Sequence, residues 1–304
     1  MIRIGTRGSQ LALAQANEVR DRLIAAHEMD LQVEIEVIST KGDRVLDRPL
    51  SEIGGKGLFT EEIEERLADG RIDIAVHSTK DMPTALPDGL ELSCYLPREA
   101  AQDAFISNNY ENVDELPEGA VVGSSSLRRK ALLLRMRPDL KVVNFRGNVQ
   151  TRLRKLDEGV ADCTFLAMAG LNRLGKADVA RSAIDPDDML PAVAQGAIGI
   201  ERRADDSRAA AMLEKIHDTA TGQRLAAERA YLATLDGSCE TPIAGLAVLD
   251  GGDVWLRGEI LRPDGSDALA DEGRAPIADA ARLGEDIARR LLDRAPAGFF
   301  DWRS

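Results

Sequence analysis

Short apolar runs alternate with stretches of helical period through the first two-thirds of this chain, and the alternation occurs twice. Residues 2–6 read as a strand. Ser9 can cap a helix to about His27, with Leu13, Ala16, Val19, Leu23 and Ile24 on one face. Residues 31–39 alternate as a strand, and residues 60–69 form a short helix with Glu61 and Glu62 at its positive end. Residues 72–77 are a continuous apolar run of the kind buried in parallel sheets. The second round predicts strands at 121–123, 141–144 and 163–167 and helices at 125–137 and 149–158. Such an order builds a sheet covered by helices, so the expected class is α/β with two similar units. Pro97 and residues 107–117 read as a linker between them, and residues 197–202 as a strand returning to the first unit. The last third differs. Helices at 219–235 and 277–292 enclose two antiparallel strands, 243–249 and 254–261, around a turn at 250–252, which predicts a small α+β domain.

Charge is segregated along this frame. Residues 121–155 carry ten basic side chains against one acid, Asp139, in a chain of net charge −13. An arginine-rich island in an acidic chain predicts a bound anion. The acidic total argues against general affinity for nucleic acid or membrane, and the island has one aromatic, Phe145, so base stacking is poorly provided for. There is no run of eighteen apolar residues and no apolar leader, which predicts neither a membrane span nor a signal peptide. Three scattered cysteines and three scattered histidines predict no disulfide framework and no metal site, and fit the cytoplasm.

Several motifs sit where strands should end. GSSSLRR (residues 123–129) puts Ser124, Ser125 and Ser126 at a helix start, with Arg128 and Arg129 as bidentate donors. NFRGNVQTRLRK (144–155) repeats the arrangement with Arg146, Arg152 and Lys155. Both junctions should lie at the carboxyl edge of one sheet, where open α/β sheets bind ligands. VHSTKDMP (76–83) clusters Ser78, Lys80 and Asp81 after a buried strand, with His77 read as a packed residue. TRGS (6–9) adds Arg7 and Ser9, and GGKGLF (54–59) places Lys56 in a glycine-flanked loop. Cys239 in GSCETP is a loop thiol, whereas Cys94 and Cys163 lie near strands and read as buried. A non-enzymatic oxyanion-binding protein would explain the arginines and serines. It would not explain Asp81 or the loop thiol.

Together these segments, with STKGDRVLDRPL, AGLNRLG, LPAVAQGAIGIE and AERAYLATLDGSCETPIAG, resemble the porphobilinogen deaminase (hydroxymethylbilane synthase) family over nearly the whole chain. The resemblance implies two periplasmic-binding-protein-like α/β domains flanking a cleft, plus a small C-terminal α+β domain. The expected boundaries are 1–98 with 197–217, 99–196, and 218–304. It implies a transferase of tetrapyrrole (porphyrin, haem) biosynthesis that joins four porphobilinogen molecules on a dipyrromethane held by Cys239 through a thioether, with Asp81 as the catalytic acid. Arg7, Ser9, Ser78, Lys80, Ser124, Ser125, Ser126, Arg128, Arg129, Arg146, Arg152 and Arg173 are the expected ligand contacts. Lys56 and Asp43 match the family's mobile loop, and Gln195 a residue near the domain crossing. The chain departs from the usual pattern at Ser124 (usually Thr), Ser238 and Ala194 (usually Gly) and Glu52 (often Lys). A monomer is expected, since no self-association stripe is evident. A porphobilinogen chain gains two carboxylates per ring, so the basic island suits it. Loss of ammonia from its arm needs a proton and leaves a cation that a carboxylate can stabilise.

Overall fold

The computed structural model describes residues 1–27, 31–44, 57–237 and 241–303. The chain forms two compact units, Met1–Glu99 with Gly196–Gly222, and Ala100–Gln195 with Gln223–Ser304. It begins with β1 (Ile2–Arg7), α1 (Gln10–Ala26), β2 (Val33–Ile38), α2 (Lys41–Arg44), α3 (Glu61–Ala68), β3 (Ile74–Ser78) and β4 (Leu90–Tyr95). The second unit opens with β5 (Asp103–Ser107), β6 (Val121–Gly123), α4 (Leu127–Met136), β7 (Lys141–Val143), α5 (Val149–Asp157), β8 (Cys163–Ala167), α6 (Met168–Arg173) and β9 (Ser182–Ala183). The chain returns with β10 (Ile198–Arg203) and α7 (Ser207–Glu214). It ends with α8 (Thr219–Thr234), β11 (Ile243–Asp250), β12 (Asp253–Leu261), β13 (Ala268–Pro276) and α9 (Ala280–Arg294).

The first sheet has strand order β2-β1-β3-β10-β4 and the second β7-β6-β8-β5-β9. In the first, β1 runs parallel to β2 and β3, while β10 is antiparallel to β3 and β4. In the second, β6 runs parallel to β7 and β8, while β5 is antiparallel to β8. Each sheet is thus a parallel trio completed by an antiparallel strand that borders a chain crossing. The parallel trios bring the ends of β1 and β3 to one edge, and those of β6, β7 and β8 to another.

Apolar faces hold these layers. Ala16, Val19 and Leu23 of α1 pack on Ile2, Ile4, Ile74 and Val76 of the first sheet. In the second unit Phe105 and Phe165 meet edge-on at 5.6 Å, a contact worth about 0.5–1.5 kcal/mol beyond its burial. Leu261 and Ala268 of the C-terminal sheet join that same core. The sharing places residues 223–304 in the second compact unit.

The structure corrects the expected linker. Every residue of Asp103–Ser107 is buried, as β5 between β8 and β9. Leu116 of the expected linker lies in the core. The chain leaves the first unit after Glu99, two residues beyond Pro97. Among the described residues four strands (β4, β5, β9 and β13) and three helices (α2, α6 and α7) were not anticipated. The pairing of β4 with β10 shifts register at Ile200/Glu201. ALADEGRAP of β13 has low strand propensity and forms because β12 supplies a full ladder. Helix α7 is short and alanine-rich. Before the return crossing Ala194 holds φ +61, a left-handed conformation costly for a residue with a Cβ. The buried Glu228 carboxylate accepts from the N–H of Ala194 (2.6 Å) and of Ala247 (2.8 Å) and fixes it.

Candidate active site

In the first unit the ends of β1 and β3 converge on a cavity lined by Arg7, Ser9, Gln15, Phe59, Ser78 and Asp81, among others. Ser9 caps α1, its Oγ accepting from the N–H of Ala12 at 3.1 Å. Arg7 donates from Nε to both Asp43 oxygens (3.1 and 3.2 Å) and from Nη2 to Oδ1, and its guanidinium lies 4.2 Å from the centre of the Phe59 ring. Asp43 also accepts from Thr40 Oγ1 at 2.8 Å. Burial pushes the Asp43 carboxyl up, but the Arg7 hydrogen bonds outweigh it and hold it below its ordinary value. The strand β3 passes into a 3-10 turn, Thr79–Asp81. Thr79 N–H donates to Ala197 O (3.0 Å) and Met82 N–H to Thr79 O (3.1 Å), with Thr79 and Met82 buried on either side. Asp81 is therefore carried on a turn anchored at both ends, with half-buried Lys80 beside it.

Gln15 was missed by the sequence reading. It lies on the buried face of α1, and its amide exchanges hydrogen bonds with Ser78 Oγ, 2.8 Å as donor and 3.1 Å as acceptor. The expected apolar face included Leu13 and Ile24. The buried face is Ala12, Gln15, Ala16, Val19 and Leu23. A polar residue one turn above Leu11 on that face was the available signal.

The second unit presents the ends of β6, β7 and β8. Ser124 Oγ accepts from Ser126 N–H (3.3 Å), Ser126 Oγ caps α4 by accepting from Arg129 N–H (3.3 Å), and Ser125 Oγ accepts from Phe145 N–H (2.9 Å) while donating to Asn144 Oδ1. The turn after β7 is braced from α5. Arg152 Nε donates to Gly147 O (2.9 Å) and Lys155 Nζ to Arg146 O (3.0 Å). Gly147 is required there, because its φ is +127 and a Cβ would lie 2.6 Å from the Thr151 methyl. Arg173 closes α6 after β8.

Arg128 and Arg129 differ from the expectation of outward donors. They are 3% and 5% exposed and share the fully buried carboxylate of Asp103. Arg128 donates to Asp103 Oδ2 (2.7 Å) and Leu190 O (2.9 Å). Arg129 donates to Asp103 Oδ1 from Nε (3.1 Å) and Nη2 (2.7 Å), and to Phe165 O (2.7 Å). Gln195 Nε2 completes the cluster, 2.9 Å from Asp103 Oδ1 and 2.7 Å from Ala101 O. Burial raises the Asp103 carboxyl, but the two guanidiniums outweigh it and hold it well below the carboxylate range. The basic island is thereby less available than its formal charge, since Asp139 pairs with Arg137, Glu158 with Arg154 and Glu259 with Arg135. Burial hides Asp103 from sequence reading, as it stands in an otherwise apolar strand.

Two expected residues, Lys56 and Cys239, lie outside the described residues. The other two cysteines are buried, and burial pushes each thiol up to about 12, which removes the thiolate that alkylation needs. No helix of the described residues is long and apolar enough to cross a membrane, and no group of metal-ligating side chains occurs among them.

The family model described as "Porphobilinogen deaminase, dipyromethane cofactor binding domain" matches residues 2–211, and that of the "Porphobilinogen deaminase, C-terminal domain" residues 223–293. The porphobilinogen deaminase of Paracoccus denitrificans (strain Pd 1222) is 65% identical over 302 residues, covering 99% of this chain and 96% of that protein. This chain belongs to the porphobilinogen deaminase family.

As a porphobilinogen deaminase, it deaminates and joins four porphobilinogen molecules into the linear tetrapyrrole hydroxymethylbilane, and its cofactor is a dipyrromethane. Among solved structures, a putative methionine-binding lipoprotein of Bacillus subtilis is 13% identical with a TM-score of 0.45, covering 72% of this chain and 91% of that one. The periplasmic VFT2 domain of Bordetella pertussis BvgS is 18% identical with a TM-score of 0.42, covering 71% and 86%. Likeness at that level adds nothing to the assignment. The fold class rests on the two helix-covered mixed sheets and the small C-terminal sheet. The donor set suits an acid-bearing dipyrrole. Hydroxyls and guanidiniums gather at two strand edges, and the two described cysteines are too buried to be its anchor.

Proposed function

We infer that Asp81 is the carboxylate that handles protons in this deaminase. One observation carries the reading: Asp81 lines the same cavity as Arg7, Ser9 and Ser78, so an acid and several anion donors face one volume. When bound, the dipyrromethane supplies the nucleophilic pyrrole carbon from which the product grows. The protein's part is to bind, orient and move protons. Asp43 occupies the fork of Arg7, the place a substrate acetate or propionate would take, and Phe59 keeps that guanidinium in plane. The Ser9 hydroxyl and the N-terminus of α1 favour negative charge at the same spot. Gln15 fixes the rotamer of Ser78, and Lys80 adds positive charge beside Asp81. Such fixed donors convert a bimolecular coupling into a local one.

In the second unit, Ser124, Ser125, Ser126, Arg146, Arg152 and Arg173 are the proposed contacts for carboxylates of joined rings. Arg128, Arg129 and Gln195 are proposed to shape that edge through Asp103. Lys56 and Asp43 belong to the proposed cover of the first site, and Cys239 is the proposed attachment point. We read residues 1–98 with 197–217, 99–196 and 218–304 as the functional divisions of a cytoplasmic monomer.

Two variants test the anchoring. Cys239→Ala is expected to give the bare sequence mass and no colour with Ehrlich's reagent, and an adduct persisting in that variant would refute the attachment. Arg146→Leu is expected to reduce cofactor loading or chain extension roughly tenfold or more, the value of a lost charge-assisted hydrogen bond. Native mass spectrometry would show the stalled species, and an unchanged loading and product pattern would remove Arg146 from the site.

A further inference from the structure

A second polar cluster lies behind the cavity of the first unit. His77 lines the cavity from β3, and its Nε2 lies 3.0 Å from Glu201 Oε2 on β10. Gly199 pairs with His77 and Glu201 with Ala75, and Ala75 packs beneath Ile63 and Leu67 of α3. These residues therefore share the sheet face that α3 covers, and α3 also carries Glu64. Glu201 is 0% and Glu64 8% exposed. Each has one carboxyl oxygen buried without a hydrogen-bond partner, as has the Thr79 hydroxyl. Orphan oxygens in an interior hold a proton or an internal water. Thr60 also lines the cavity, one turn before Glu64, so the cluster reaches the cavity at two points.

Two buried carboxylates beside one imidazole must retain at least one proton among them, because unpaired buried charge is too costly. Burial, with the facing Glu201 charge, holds the Glu64 carboxyl above its ordinary value. The charged groups around His77 are Glu64, with Glu61 beyond it, on α3, Glu201 on β10, and Arg7 and Asp81 on the cavity side. Helix α1 presents Gln15, and β4 presents Leu92 opposite Glu201.

We propose that His77, Glu201 and Glu64 form a buried proton relay that opens onto the catalytic cavity and exchanges protons with Asp81. Glu201 and Glu64 are positioning residues that act through His77. In each turnover the relay gives a proton to the amine nitrogen of the substrate arm. The C–N bond breaks and its electron pair leaves with ammonia. The new C–C bond takes the electron pair of the attacking pyrrole carbon, and the C–H bond of that carbon then breaks to restore the ring. Its proton returns through Asp81 to His77, so the relay ends each cycle as it began. The proposal rests on the reading of the Asp81 cavity as the reacting one.

The test uses cofactor-loaded enzyme and the variants Glu64→Gln and His77→Gln. The pH dependence of kcat and of kcat/KM is measured with the solvent deuterium isotope effect. Both variants are expected to lose an ionisation seen in the wild type, with kcat down roughly tenfold and KM within about twofold. A wild-type profile and rate in Glu64→Gln overturns the relay, and so does lowered stability with an unchanged profile. Should His77→Gln not fold, infrared spectroscopy of the wild type at neutral pH decides. A protonated carboxyl band that Glu64→Gln removes is expected, and its absence from the wild type sinks the proposal. An inactive Asp81→Asn beside an unaffected Glu64→Gln defeats the relay alone. An active Asp81→Asn defeats the underlying reading.

Discussion

Asp81→Asn is expected to lower kcat of the cofactor-loaded enzyme by roughly 10²–10⁴-fold, the range contributed by a positioned general acid–base. The substitution preserves shape and removes the ionisable group. The turn that carries Asp81 is held through Thr79 and Met82 rather than through its own side chain, so the fold should survive. Thermal unfolding within a few degrees of wild type, normal cofactor mass and collapsed turnover is the expected set of results. A turnover close to wild type would show that another group moves the proton. Ser78 and Arg7 are then the wrong neighbours to define the reacting volume, and the cavity assignment fails with Asp81.

Asp103→Ala is expected to destabilise the enzyme by about 3–5 kcal/mol, because it strands two guanidiniums in the interior. Against a domain stability of about 5–15 kcal/mol, that loss is large enough to depress yield at growth temperature. Arg128→Leu should be milder, since it leaves Asp103 paired with Arg129 alone and the cluster formally neutral. Denaturant unfolding of the three proteins checks the order, and an Asp103→Ala variant as stable as wild type would refute it. The pH dependence has a fixed sign. The folded Asp103 carboxyl titrates well below its unfolded value of about 3.9, so its stabilisation is complete above that value and is lost as pH falls through the folded one. The stability gap between wild type and Asp103→Asn should therefore be widest near neutral pH and narrow on acidification below about pH 4.

The sequence by itself determined a good deal. Apolar period placed α1, β3, β6 and β8 within a residue or two of their observed bounds, because burial of one face dictates the spacing. Serine, arginine and glycine at strand ends marked the loops that line the site, and ordered motifs named the family. Tertiary structure alone decided that β5 completes the second sheet. That strand pairs antiparallel with β8 across a long sequence separation that no local signal encodes, whereas the return of residues 197–202 to the first unit was legible and only the antiparallel pairing of β10 was not. Tertiary structure also decided where charge ends up. Arg128 and Arg129 read as ligand donors, yet they turn inward because Asp103, from the unanticipated strand β5, gives them a carboxylate away from water. The same holds for Gln15, His77, Glu64 and Glu201. Their partners come from other elements, and only the packed sheet brings them within reach.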